Sequence, residues 1–413
     1  MTEYTDLLQQ YSIRLKHNHL KGRALLRVDI NVPVRNGKIV SKNLRFNVVA
    51  KCIEAYCENG LIPIILSHQG RVRGDDYLES MEQHARVLGS LLKDVHLIYS
   101  NSLTEETTKD CIKKLGKGEA LLLKNTRAQE DEERKFKSLE EGRNCGLVKF
   151  FVPLADCYIN DAPATMHRSD TSLTAFTHSI PSYLGLQMEE ELKVLSEIDE
   201  QIRSGRRVAI IFGGKKWEKF DYVYRVAANE NVNVLCGGVP GQSICYLKNR
   251  SKFNNENEEF ILRSGSLDTA ADLIKNFEQR IVYPIDFVLD SSENVGVEDL
   301  KEEKGLIMDI GENTLGRFFD AIENAEVIVY AGPVGRYEKG YKNTIRLVTR
   351  FMGLKTSNFT LGGNSVDSMD EIGLDHAYEF LGGKRITSGG SGLAFLAGEK
   401  LPALEAFRSV SNR

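Results

Sequence analysis

Short apolar runs rich in β-branched residues punctuate the chain, and most of them end in Gly, Asp, Asn or Ser. In the first half they fall at 24–28, 61–66, 95–99, 120–123 and 156–159. The second half carries them at 207–212, 232–235, 285–289, 306–310, 326–330, 359–361 and 385–386. Between most of them lie charged segments with helical spacing, such as 81–92 and 314–323. Strand, helix, strand at this rhythm predicts βαβ units and parallel sheets. Twelve strands crowd a single open sheet, so the expected fold is α/β with two doubly wound, Rossmann-like lobes. A boundary is expected near 181–185, giving lobes of 1–185 and 186–400. Just after it, Met188, Leu192, Leu195, Ile198 and Ile202 recur at spacings of three or four, one apolar stripe along a helix over 186–203. That helix either joins the two lobes or belongs wholly to the second; the former is the working expectation.

Length and charge narrow the picture further. A chain of 413 residues is too long for one ordinary core and suits two domains. With 54 basic against 58 acidic residues the net charge is −4, which offers no footprint for nucleic acid. Any strongly basic site must be local. The seven cysteines are scattered without a C-x-x-C pair, as expected of free thiols in a reducing compartment. The first 22 residues lack the apolar stretch of a secretion signal, and the apolar runs fall far short of a membrane span. The expectation is a cytoplasmic protein with no membrane partner.

In doubly wound sheets ligands bind beyond the carboxyl ends of the strands, so the residues just past each strand carry the chemistry. In the first half these positions are polar and cationic: Asp29, Asn31 and Arg45, then His68 and Arg71, then Arg127, then Asp161, His167 and Arg168. Any one surface arginine is ordinarily a solvated charge. Four arginines and two histidines on one rim instead suit an anion, because guanidinium matches phosphate and carboxylate in two-pronged fashion. Asp161 reads equally well as a cap and is left out of the catalytic set.

The second half carries glycines at the same positions: Gly213-Gly214, Gly237-Gly238, Gly311, Gly332 and Gly335, Gly362-Gly363 and Gly389-Gly390. Glycine lets backbone N–H groups approach a phosphate at a helix start, although tight turns alone also demand it. Neither G-x-x-x-x-G-K-[ST] nor G-x-G-x-x-G occurs, which weakens a P-loop enzyme or a standard dinucleotide binder. One lobe for a small polyanion and one for a nucleotide, closing together for reaction, is the reading that fits both halves.

These residues resemble the phosphoglycerate kinase family. The run from Arg27 to Pro33, R-V-D-I-N-V-P, is similar to R-V-D-F-N-V-P, and S-H-Q-G-R at 67–71 to S-H-L-G-R. N-D-A-P-A-T-M-H-R at 160–168 resembles N-D-A-F-G-T-A-H-R. G-G-K-K at 213–216 is similar to G-G-A-K, G-P-V-G at 332–335 to G-P-M-G, and L-G-G-N-S at 361–365 to G-G-G-D-T. The resemblance implies that Asp29, Asn31, Arg45, His68, Gln69, Gly70, Arg71, Arg127 and Arg168 hold 3-phosphoglycerate or 1,3-bisphosphoglycerate. It implies ATP or ADP with Mg²⁺ at Gly214, Lys216, Gly237, Gly238, Glu338, Gly362, Gly363, Asn364 and Ser365, with Glu338 on the ribose. Arg45 and Lys216 would be catalytic, Asn364 a possible metal contact, and 401–413 would return to the first lobe.

Departures cluster in the second half. The family's second lysine would fall at Phe220, with Lys219 one place off; Asn364, Ser365, Leu361 and Ala331 replace Asp, Thr, Gly and Asn. Gln69 and the missing lysine look like the archaeal branch. The implied chemistry is phosphoryl transfer to a carboxylate, which is ionised at neutral pH and needs no general base. Two rivals stay open here: a nucleotide-dependent sensor on a decayed kinase scaffold, and a kinase for another acyl phosphate.

Overall fold

A computed structural model of the chain describes residues 3–16, 20–136, 138–215 and 219–411. They divide into two compact units, 1–193 with 400–413, and 194–399.

The first unit is built on a parallel six-stranded sheet. Its strands in chain order are β1 (Gly22–Val28), β4 (Leu61–Leu66), β5 (His96–Tyr99), β6 (Glu119–Leu122), β7 (Cys157–Asp161) and β8 (Ser182–Leu184), and a short hairpin supplies β2 (Val34–Arg35) and β3 (Lys38–Ile39). The spatial order β5-β6-β4-β1-β7-β8 puts β1 at the centre. Strands of a parallel sheet are covered on both faces, so they read as continuous apolar runs. Leu25, Leu26 and Val28 are fully buried accordingly, and so is Arg27 between them. A charged side chain within such a run requires partners.

The second unit repeats the plan with β9 (Val208–Phe212), β10 (Val232–Cys236), β11 (Ile281–Val282), β15 (Val327–Tyr330), β16 (Ser357–Leu361) and β17 (Lys384–Ile386), in the order β11-β10-β9-β15-β16-β17. Two apolar runs expected to join a parallel sheet do not. β12 (Asp286–Leu289) and β14 (Ile307–Ile310) pair antiparallel, with β13 (Asn294–Gly296) on the other side of β12, as a separate three-stranded sheet. Its inner face packs Phe287, Leu289 and Ile307 against Tyr246, Phe253 and Ile261. The local pattern of an apolar strand carries no information about the direction of its partner.

The expected boundary at 185/186 shifts to within the helix Leu186–Arg203. Its first turns are fastened to the first unit. Leu186 N donates to the Tyr56 hydroxyl at 2.9 Å, Met188 N to Asp161 Oδ1 at 2.9 Å, and Glu189 accepts the Ser12 hydroxyl at 2.7 Å. Asp161 therefore acts as the cap that its sequence position allowed, and burial pushes its carboxyl up to about 6. The helix Pro402–Ser411 also belongs to the first unit: Ala403 N donates to Met166 O at 3.2 Å, and Phe407 packs edge-on against Tyr11 at 5.2 Å. All seven cysteines are free, and no helix among the described residues is long and apolar enough to cross a membrane.

Candidate active site

The carboxyl ends of β1, β4, β6 and β7 converge on one cationic pocket, and local backbone chemistry fixes each contributor. After β1, Asn31 N donates to Asp29 Oδ1 at 3.0 Å and Asn31 Oδ1 accepts Gly70 N at 3.0 Å, joining two loops. Asn43 caps the helix Leu44–Glu58 by accepting Arg45 N at 3.1 Å, which sets Arg45 in the first turn. From there its Nε lies 3.4 Å from Asp29 Oδ2 and its Nη1 donates to Asn31 O. Asn125 plays the same part after β6, accepting Arg127 N at 3.0 Å while its amide donates to Gln69 O and Leu78 O. Arg127 then reaches Gly70 O, Glu133 Oε1 at 3.0 Å and Asp170 Oδ2 at 3.7 Å.

His68, fully buried, sits at the centre. Its pKa is held well below the ordinary imidazole value by burial and by the fields of Arg27, Arg168, Arg127 and Arg45. Arg168 is itself lowered by burial and by its neighbour Arg127. Four guanidiniums therefore gather round one buried imidazole, with Asp29, Glu133 and Asp170 paired to Arg45 and Arg127 beside it. Among the described residues, His68 Nε2 and Arg127 Nε are moreover buried without a hydrogen-bond partner, and Arg45 Nε has only its longer ion pair with Asp29. Buried donors in that state are costly unless an anion meets them.

Two of the expected ligands, Gln69 and Gly70, spend their polar groups within the unit. Gln69 is fully buried with its amide consumed internally: Oε1 accepts Val32 N at 3.0 Å and bonds His84 Nε2 at 2.9 Å, and Nε2 donates to Val32 O and Asp76 O. Its side chain stitches loops and does not face a ligand. Gly70 spends its N–H on Asn31, and with φ +69° and Asp76 O at 2.3 Å from any added Cβ it serves the turn. Arg71 stands exposed in that turn.

In the second unit the strand-end glycines meet one another. Gly214 N donates to Pro333 O at 2.8 Å, Gly238 N to Val334 O at 2.9 Å and Gly237 N to Phe212 O at 2.8 Å. A Cβ on Gly238, at φ +52°, would come within 2.6 Å of Gly214 N. The expectation that these N–H groups cradle phosphate is thus corrected for Gly214, Gly237 and Gly238: close packing of loops has claimed them. The helix Gly363–Ile372 differs. Gly362 precedes it at φ +90° and its carbonyl accepts Ser365 N and Val366 N, so Gly363 N and Asn364 N are left as helix-start donors without an intrahelical partner. Glu338 is exposed on the turn Tyr337–Lys339. Lys216 lies outside the described residues, and of Asn364 the backbone alone is described.

A family model of phosphoglycerate kinase matches residues 15–399. The chain belongs to the phosphoglycerate kinase family. It is 33% identical over 395 residues to the phosphoglycerate kinase of Pyrococcus horikoshii, covering 93% of this chain and 94% of the relative. The Saccharolobus solfataricus phosphoglycerate kinase is 31% identical, with 93% of each chain covered. The crystal structure of the Pyrococcus horikoshii enzyme superposes with a TM-score of 0.84 at 30% identity, covering 97% of this chain and 99% of that one. The structure of phosphoglycerate kinase from Coxiella burnetii, at 24% identity and a TM-score of 0.67, shares the fold. The Pyrococcus and Saccharolobus relatives are archaeal, in line with the expected branch.

Departures from the family motifs have local causes. Phe220 stacks on Phe212 at 5.4 Å between ring centroids and is fully buried, a place no lysine could take. Lys219 beside it directs its ammonium to where two glycine turns meet. A Cβ built on Gly389 would come within 2.9 Å of Lys219 Nζ, and one on Gly362 within 3.7 Å. Leu361 and Ala331 are buried at their strand ends.

Proposed function

We propose that this chain is a phosphoglycerate kinase that moves a phosphoryl group between 1,3-bisphosphoglycerate with MgADP and 3-phosphoglycerate with MgATP. The observation that carries the reading is the cluster in which the buried Nε2 of His68 and Nε of Arg127, among the described residues, make no hydrogen bond within the protein although guanidiniums converge on them. Such a pocket fits a small molecule bearing both phosphate and carboxylate. Asp29 and Asn31 hold Arg45, while Arg168, Arg127 and His68 meet the anion and Arg71 lies at the rim. The acceptor carboxylate is already ionised, so the protein's work is positioning and charge stabilisation. A coupled assay with 3-phosphoglycerate and MgATP tests this directly, and absence of turnover by folded protein would overturn it. Binding of 3-phosphoglycerate to the full chain should weaken steadily as salt rises, because ionic contacts are screened. Calorimetry at two ionic strengths checks that, and a salt-independent affinity would contradict it.

The nucleotide reading rests on the second unit. The start of the helix Gly363–Ile372 and the ammonium of Lys219 form a positive site suited to phosphates. Lys216 joins it by family resemblance, as does Glu338 at the ribose. Mg²⁺ would be carried mainly by the nucleotide phosphates, neutralising them. Asn364 stands where the family has aspartate; it keeps one carbonyl oxygen and loses a full charge. Mg²⁺ favours carboxylate oxygens, so Asn364→Asp should tighten Mg²⁺-dependent ADP binding by about 1–3 kcal/mol, while metal-free ADP binds no better. Magnesium titrations at fixed ADP decide, and superimposable curves would mean that residue 364 serves merely as a helix-start residue.

A further inference from the structure

We propose that Arg27 is a positioning residue that fixes His68 as the neutral Nε2–H tautomer, so that the imidazole meets the substrate as a hydrogen-bond donor and not as a cation. The proposal rests on the first unit being the phosphoglycerate site, since it names how one residue of that site is set.

Arg27 lies fully buried between Leu26 and Val28 in the apolar half of the central strand. Each arm of its guanidinium is engaged. Nε donates to Ser172 Oγ at 2.7 Å, Nη1 donates to Val28 O, and Nη2 lies 3.1 Å from His68 Nδ1. A guanidinium has five N–H donors and no acceptor, so the contact with His68 requires a lone pair on Nδ1. The proton of the neutral ring is therefore on Nε2. Protonation of both nitrogens would aim an N–H at the Arg27 N–H.

The groups facing the ring reinforce this. Arg27 approaches from β1, Arg45 from the first turn of the helix Leu44–Glu58, Arg127 from the turn after β6 and Arg168 from the loop after β7. The nearby carboxylates are engaged elsewhere: Asp29 with Arg45 at 3.4 Å, and Glu133 and Asp170 with Arg127 at 3.0 and 3.7 Å. Burial and these four guanidiniums both disfavour a charged imidazole. Nε2, the ring nitrogen away from Arg27, is buried without a hydrogen-bond partner among the described residues, as a donor reserved for ligand would be. Arg27 is itself tied to the buried Glu132, whose Oε1 accepts the Ser172 hydroxyl at 2.6 Å and whose Oε2 accepts Ser172 N at 2.9 Å. With each of its three nitrogens engaged inside the protein, Arg27 acts on the substrate through His68.

Long-range ¹H–¹⁵N correlation spectra of the full chain with ¹⁵N-labelled histidines read this out. His68→Gln identifies the His68 signals among the eight histidines. In the ligand-free protein His68 should show a protonated Nε2 and an unprotonated Nδ1, unchanged between about pH 5 and 8, where ordinary histidines titrate. A protonated Nδ1, or titration in that window, would overturn the proposal even if no variant could be made. In folded Arg27→Met the signal should become a mixture of tautomers or begin to titrate; an unchanged pure Nε2–H state would show that Arg27 does not set it. Arg27→Lys, which keeps a donor toward Nδ1, should retain the wild-type tautomer, and a mixture there would count against the proposal. Addition of 3-phosphoglycerate should then shift the Nε2–H resonance. A correct tautomer that ignores the ligand would uphold the role of Arg27 and count against the phosphoglycerate site.

Discussion

Replacing Arg45 with alanine is expected to lower kcat by about 10²–10⁴, the range seen when a charge-stabilising donor or arginine finger is lost. KM for 3-phosphoglycerate should change much less. The expectation comes from how Arg45 is held. Its backbone is capped by Asn43, its Nη1 is bound to Asn31 O, and its Nε lies 3.4 Å from Asp29, so the fork is set before any ligand arrives. A preorganised guanidinium costs no rearrangement as charge develops on the moving phosphoryl group. Alanine also leaves Asp29 buried without its cation, so stability should fall as well. Arg45→Lys separates the two effects. It keeps a charge for Asp29 but not the planar fork, and should recover most of the stability and little of kcat. Steady-state kinetics and thermal melts of both variants check this. If Arg45→Ala raised KM and left kcat near wild type, Arg45 would be a ground-state clamp.

The pocket was legible in sequence largely because strand ends are where such sheets bind ligands. Asp29, Asn31, His68, Arg127 and Arg168 could be found among the residues just past each apolar run, and the structure brings them together. Arg45 was legible through its family motif and through the Asn that caps its helix. What escaped was anything decided by distant partners. Gln69 lies inside a ligand-binding motif, yet its amide is taken up by Val32, Asp76 and His84, none of which local pattern connects to it. The glycines after β9, β10 and β15 looked like phosphate cradles because sequence reveals the absence of a Cβ and not what occupies the space. In Gly213 and Gly238 that space is filled by the backbone of a neighbouring loop. β12 and β14 carry the apolar pattern of parallel strands but pair antiparallel, since register and direction are tertiary properties. The signal for Arg27 was present as a charge inside a buried strand. Its partner Ser172 stands 145 residues away and could not be named in advance.

That distant partnership carries the largest stability effect expected in the first unit. Glu132, Ser172 and Arg27 are all fully buried, and Glu132 is joined to Arg27 through the Ser172 hydroxyl. Removing the carboxylate by Glu132→Ala leaves a guanidinium in the interior without its counter-charge, and breaking a buried pair in this way costs about 3–5 kcal/mol. Ser172→Ala removes the link but keeps both charges, and should cost about 1–3 kcal/mol, the range for unsatisfied buried hydrogen-bonding groups. The two losses should not add, because both variants break one network. pH dependence supplies an independent check. Burial raises the Glu132 pKa despite the opposing field of Arg27. A carboxyl whose folded pKa exceeds its unfolded value of about 4.3 binds its proton more tightly when folded. Its contribution to stability is full below that unfolded value and is lost as pH rises through the folded one. Wild type should therefore lose stability over that interval, whereas Glu132→Gln, neutral at every pH, should lose less. Urea unfolding of the full-length proteins, at about pH 4 and again at neutrality, measures both effects. A loss below about 1 kcal/mol in Glu132→Ala would show that Arg27 is balanced by other groups, and identical pH slopes in wild type and Glu132→Gln would show that Glu132 keeps an ordinary pKa in the fold.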